Sequence, residues 1–129
     1  PEDGGLLDAL DELQVGSIVF SPLEQGLLTG RYLDGIPEDS RAASDSPFLN
    51  SDALTGELVG KLRALDEIAK SRGQSLAQMA LAWVLREGRV TSALVGASSP
   101  GQLEDSVSAI GNVAFAADEL ARIDAIVTR

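Results

Sequence analysis

Two short apolar runs do most to limit what this chain can fold into. Residues 15–20 read Val-Gly-Ser-Ile-Val-Phe and residues 91–95 read Thr-Ser-Ala-Leu-Val. The first breaks into Ser21-Pro22-Leu23-Glu24-Gln25-Gly26, the second into Gly96-Ala97-Ser98-Ser99-Pro100-Gly101. A β-branched and apolar stretch that stops at Ser, Gly and Pro predicts a strand buried on both faces that delivers a loop at its C-terminal end. Two such stretches point to two strands of a parallel barrel whose ends face one ligand.

Helical patterns fill the space around these strands. Leu6, Leu7, Leu10 and Leu13 recur at helical spacing and predict an amphipathic helix over residues 4–13. Residues 33–50, rich in Asp, Ser, Pro and Gly, read as a long loop. Leu54, Leu58, Leu62, Leu65 and Ile68 predict a helix over residues 52–72, capped by Gly73. Ser75 and Gln78 can form a capping box for the next helix, which is apolar on most sides and places Met79 and Trp83 in the core. Ser99 and Gln102 offer a second capping box, opening a helix over residues 100–110 that Gly111 ends. A last helix spans residues 117–127 with Leu120, Ile123 and Ile126 inward. The order is an α/β alternation within one domain over residues 1–129. Two strands cannot close a barrel or make a satisfactory open sheet, so the chain reads as part of a larger domain. The start at Pro1 rather than Met leads us to expect a missing or processed N-terminus.

Composition narrows the chemistry. The chain has no Cys and no His, which removes disulfides, thiolate metal sites and the commonest general base. Ten basic and twenty acidic side chains give a formal charge of -10. Such a surface repels nucleic acid and anionic membranes, while a locally basic site can still take a small phosphorylated ligand. No apolar run approaches bilayer length and no signal peptide is visible, so a cytoplasmic location is expected.

Candidate chemistry gathers at the two loops. Gly96 and Ala97 let backbone approach a ligand, Ser98 and Ser99 offer hydroxyls, and the helix beginning there turns its N-terminal dipole toward phosphate. The same residues also serve as a plain helix cap. Phe20 is open to two readings, a core ring or a ring that covers a flat heterocycle. Ser21, Pro22 and Leu23 turn the chain sharply, leaving the backbone amides of Glu24 and Gln25 to an anion. Arg31 and Arg41 are the first two basic residues of the chain and either faces a phosphate or is simply solvated. The acidic residues form no catalytic pair, no Ser has a His to activate it, and no metal site is evident.

These motifs resemble the C-terminal part of the aldo-keto reductase family over nearly the whole chain. Ser21-Pro22-Leu23 with Gly26-Leu27-Leu28-Thr29-Gly30-Arg31-Tyr32 is similar to the seventh-strand motif of the branch that includes bacterial glyceraldehyde-type reductases and potassium channel β subunits. That branch usually has Lys where Arg31 stands. Gly35-Ile36-Pro37 with Ser40-Arg41, the run from Gln74 to Trp83, and Val95-Gly96-Ala97-Ser98 continue the likeness.

The resemblance implies the C-terminal portion of a (β/α)8 TIM barrel, strands 7 and 8 with their helices, incomplete as a barrel. It implies NADP(H) as cofactor and hydride transfer to a small aldehyde or ketone. Phe20 then stacks on nicotinamide, and Ser21, Pro22, Leu23, Glu24 and Gln25 line the pyrophosphate. Arg31 and Arg41 approach the phosphates or the adenosine end. Gly96, Ser98, Gln102, Asp105 and Ser106 match the part that holds the 2′-phosphate and adenine, although the branch more often has Glu at Asp105 and Asn at Ser106. The family's Tyr, Lys, His and Asp come from earlier strands, so the resemblance implies no catalytic residue in this chain and missing N-terminal barrel strands as its partner. Two alternatives stand beside this reading: a cofactor-sensing regulatory subunit, and an inert barrel fragment that associates with itself into a homo-oligomer.

Overall fold

The computed structural model describes residues 4–33 and 56–128. The expected loop from residue 34 onward, the first turn of the helix expected from residue 52, and Arg41 lie outside them. The described residues form five helices and two strands: α1 (Leu6–Glu12), β1 (Ile18–Val19), α2 (Gly56–Ser71), α3 (Leu76–Leu85), β2 (Ser92–Ala93), α4 (Pro100–Ser108) and α5 (Ala117–Val127). None of these helices is long and apolar enough to cross a membrane.

The core is helical. Leu62, Leu65, Ile68 and Ala69 form the inward stripe of α2 and pack with Leu76 and Met79 of α3 and Ile123 of α5. Each such aliphatic side chain contributes about 1.5–3 kcal/mol by leaving water. Tyr32 joins the cluster, 2% exposed. Trp83 was expected in the core but sits at its rim, half-buried, with the Arg86 guanidinium 3.7 Å above its ring. A cation, not an apolar neighbour, covers its outer face.

Helix ends follow local chemistry. Ser75 Oγ accepts from Gln78 N–H at 3.1 Å and Gln78 Oε1 accepts from Ser75 N–H at 3.0 Å, so the expected capping box is complete. Gly73, at φ +69°, closes α2: its N–H bonds to Lys70 O at 2.9 Å and that of Gln74 to Ala69 O at 3.0 Å, a Schellman pair. α1 closes in the same way around Gln14, which takes φ +56° without being Gly. On the exposed side of α2, Lys70 lies 2.8 Å from Asp66 and 3.3 Å from Glu67. Hydrogen bonds to these two carboxylates raise the Lys70 pKa.

Arg72 is a joint the sequence analysis missed. Its side chain is 3% exposed. Nη1 meets Glu119 Oε2 at 2.7 Å, Nε donates to Gln74 Oε1 at 2.8 Å, and Nη2 donates to the carbonyls of Asn112 and Ala114 at 3.1 and 2.9 Å. The guanidinium also lies 3.7 Å from the centroid of Phe115. Glu119 turns back to accept from Ala116 N–H at 2.8 Å, so one ion pair locks the end of α2 to the start of α5.

β1 and β2 pair in parallel, Ile18 with Ser92 and Val19 with Ala93. Ahead of the pairing, Ser17 N–H donates to Thr91 Oγ1 at 2.9 Å. Arg89, ahead of β2, reaches back to Asp8 and Asp11 of α1, bonding Asp11 at 3.0 Å. The expectation of burial on both faces is corrected. Val19, Ala93 and Val95 are half-buried, the last two toward α3, while Ile18, Phe20 and Leu94 are exposed. α3 packs against β2, and burial alternates along each strand.

The leucine stripe of α1 is also narrower than expected. Leu7 is buried and Leu10 half-buried, but Leu6 and Leu13 are exposed. Both sit roughly 100–120° around the helix from Leu7, beyond the surface that one short helix can bury.

Candidate functional site

Parallel pairing sends both strands out at the same end of the ladder. Phe20 and the turn after it leave there from β1, and residues 94–99 leave there from β2 and run into α4. Phe20 is 80% exposed, an aromatic face open at that edge among the described residues.

The turn after Phe20 is strained. Ser21, Glu24 and Gln25 all take positive φ, at +51°, +45° and +57°, and Gly26 follows at +95°. Non-glycine residues rarely occupy this region, and clusters of them mark sites where a loop is held in one shape. Two 3-10 turns over Glu24–Thr29, kinked at Gln25 and Gly26, keep this shape. One expectation changes here. The Glu24 amide is not presented to an anion, because it donates to Ser21 O at 3.1 Å. Pro22, Leu23 and Gln25 are half-buried, Ser21 and Glu24 exposed. Arg31 is exposed, immediately before the buried Tyr32.

At the second loop Gly96, Ala97, Ser98 and Ser99 are all exposed. A Cβ built on Gly96 or on Gly101 meets nothing within 4 Å, so ligand can reach the backbone at the start of α4. Ser99 caps α4, its Oγ accepting from Gln102 N–H at 3.3 Å, and Pro100 takes the first helical position. Only half of the expected capping box forms. The Gln102 side chain passes over Ser99 to Ser98, whose N–H and Oγ–H both donate to Gln102 Oε1 at 2.8 Å. A carboxamide oxygen therefore occupies the spot where two donors converge.

The residues expected further along α4 divide. Gln102 stays with the loop. Asp105 is turned toward the N-terminus of α3, where Gln78 and Ser75 hold it. Ser106 is half-buried and lines a cavity of about 260 Å³ with Leu81, Leu85, Ala93, Val95 and Ile110, beneath the helix rather than at the loop. Gly111 does not end the helix as expected. α4 stops at Ser108 and a 3-10 turn carries the chain through Gly111 to Asn112.

An exposed aromatic ring, an open backbone at a helix N-terminus and a converging pair of donors fit a ligand that combines a flat ring with an anionic oxygen. Residues 2–128 match the model of the Aldo/keto reductase family. The chain is 52% identical over 126 residues to an L-glyceraldehyde 3-phosphate reductase of Escherichia coli O157:H7, covering 95% of this chain and 36% of that protein. A candidate voltage-gated potassium channel subunit beta of Schizosaccharomyces pombe is 39% identical over 98 residues, 74% of this chain and 28% of its own length. Among solved structures, the glycerol dehydrogenase of Gluconobacter oxydans aligns with a TM-score of 0.75 at 26% identity, over 98% of this chain and 38% of that one. The chain thus spans 36% or less of the length of these curated relatives.

Proposed function

Because the chain belongs to the Aldo/keto reductase family, we propose that it is the NADP(H)-holding portion of a barrel enzyme that reduces aldehydes or ketones to alcohols. The observation that carries this reading is the parallel register of Val19 with Ala93, which brings the Phe20 turn and the Ser98–Gln102 turn to one edge. When bound, the nicotinamide supplies the hydride. Phe20 offers its exposed ring to that heterocycle, and the strained turn from Ser21 to Gln25 runs beside the phosphates, with Arg31 and Arg41 as the cations near them. At the other loop, an anionic oxygen of the ligand replaces Gln102 Oε1 and takes the two donors of Ser98. Gly96 keeps the backbone close to the ligand because it carries no side chain.

The proton for the forming alcohol comes from polypeptide outside these 129 residues. The chain has no His, and its one Tyr, Tyr32, is buried in the helical core cluster. The lower identity to the channel subunit, 39% against 52% for the reductase, favours turnover over sensing. A cytoplasmic setting and a small carbonyl substrate belong to the same proposal.

The test is a fluorescence titration with NADPH and NADH, followed by an assay of NADPH oxidation with L-glyceraldehyde 3-phosphate. Saturable binding that favours NADPH, without carbonyl reduction by the 129-residue chain alone, supports the reading. Reduction by this chain alone overturns the assignment of the proton donor elsewhere. Absence of binding in the longer protein overturns the cofactor assignment.

A further inference from the structure

α4 buries no residue within its own span, Pro100 to Ser108, and Leu103 and Val107 are 49% and 54% exposed. The buried Ala109 fixes its C-terminal end through the 3-10 turn that follows, and its polar anchoring is concentrated at Asp105. Gln78 Nε2 donates to Asp105 Oδ1 at 2.7 Å and to the Asp105 carbonyl at 3.2 Å. Ser75 Oγ donates to Asp105 Oδ2 at 3.3 Å. Both carboxylate oxygens and the backbone carbonyl of this residue are therefore engaged by the cap of α3.

The same two side chains close the α3 capping box. Gln78 Oε1 is held by Ser75 N–H and Ser75 Oγ by Gln78 N–H, so neither side chain can turn without uncapping α3. The donors that meet Asp105 thus come from a fixed frame. Asp105 lies three residues beyond Gln102, nearly one helical turn on. Any slide or roll of α4 about this anchor moves the Ser98–Gln102 turn with it.

We propose that Gln78 and Ser75 are positioning residues for the dinucleotide edge: through Asp105 they set where the first turn of α4 stands beside β2. Asp105 acts as the anchor of that helix. The inference rests on the cofactor reading above for its consequence, but the anchoring itself needs no ligand to be measured.

Gln78→Glu is the informative variant. It keeps an acceptor for Ser75 N–H and replaces the donor facing Asp105 with a second anionic oxygen. Asp105→Asn keeps an acceptor for Gln78 Nε2, and the double variant restores a donor-acceptor pair with the roles reversed. Amide exchange over residues 101–108 of the ligand-free full chain is expected to speed up about tenfold in Gln78→Glu and to return to within about threefold of wild type in the double variant. The NADPH dissociation constant is expected to follow the same order across the variants. Asp105→Ala, which leaves the α3 cap untouched, is expected to match Gln78→Glu in both measurements.

Unchanged α4 exchange in Gln78→Glu and Asp105→Ala overturns the proposal. So does an Asp105→Asn variant that weakens NADPH as much as Gln78→Glu while α4 exchange stays at the wild-type rate, because Asp105 then touches the ligand directly. A wild-type protein that binds no NADPH overturns the functional reading instead, and the exchange measurement still decides the anchor.

Discussion

Val19 is the register partner of Ala93 in a parallel ladder, and the Leu94 N–H donates to the Val19 carbonyl at 2.8 Å. An antiparallel pair would send the two following loops to opposite ends. The parallel pair puts the turn after Phe20 and the loop before α4 at one end. Every functional assignment made for this chain depends on that arrangement.

Phe20 separates a binding role from a packing role. Its ring is 80% exposed, so Phe20→Ala is expected to change folding stability by less than about 0.5 kcal/mol, where loss of a core Phe costs about 3–5 kcal/mol. NADPH affinity is expected to drop about tenfold, in keeping with the loss of one aromatic stack. Urea denaturation and an NADPH titration on the same preparation check both halves.

The register itself can be stressed at Gly16. A Cβ there lies 3.0 Å from Thr91 Oγ1, which the Ser17 N–H holds in place. Gly16→Ala is expected to destabilise the chain by about 1–2 kcal/mol through overpacking. Combined with Thr91→Ala, which removes the hydroxyl, it is expected to cost less than the sum of the two single changes, as urea midpoints would reveal.

Arg72 is expected to be the most costly single side chain to lose. Truncation strips Glu119 of its cation and removes a donor from the carbonyls of Asn112 and Ala114, and Arg72→Ala is expected to cost about 3–5 kcal/mol. Arg72→Lys keeps the charge but cannot fork to four acceptors, and it is expected to recover less than half of that loss in urea melts.

These cases show which parts of the molecule could be read in advance. The stripe from Leu62 to Ile68, the Ser75–Gln78 box and the Gly73 cap are local patterns, and local patterns are written in neighbouring residues. The strand segments are legible in their apolar runs, but their burial is not, because burial belongs to what lies opposite. Ile18 and Leu94 are as apolar as Val19 and yet face outward. Arg72 gave no signal at all, since its partners Asn112, Ala114 and Glu119 lie 40 or more residues away. At the candidate site, the strand ends and the α4 cap were legible from Ser, Gly and Pro. The turn of Asp105 toward Gln78 was not, because it is set by how two helices pack.

Gln14 offers a stabilising change. It sits at φ +56° where α1 ends, a position that favours glycine. Gln14→Gly is expected to raise stability by about 0.5–1 kcal/mol, seen as a higher midpoint in thermal or urea unfolding without any effect on NADPH binding.

The most direct measurement is a backbone amide titration of the isotope-labelled protein with NADPH. The expected result is that amides of residues 20–26 and 96–102 shift together along one binding curve, while those of α5 stay in place. Shifts confined to one of the two loops, or two separate curves, would contradict convergence on a single dinucleotide.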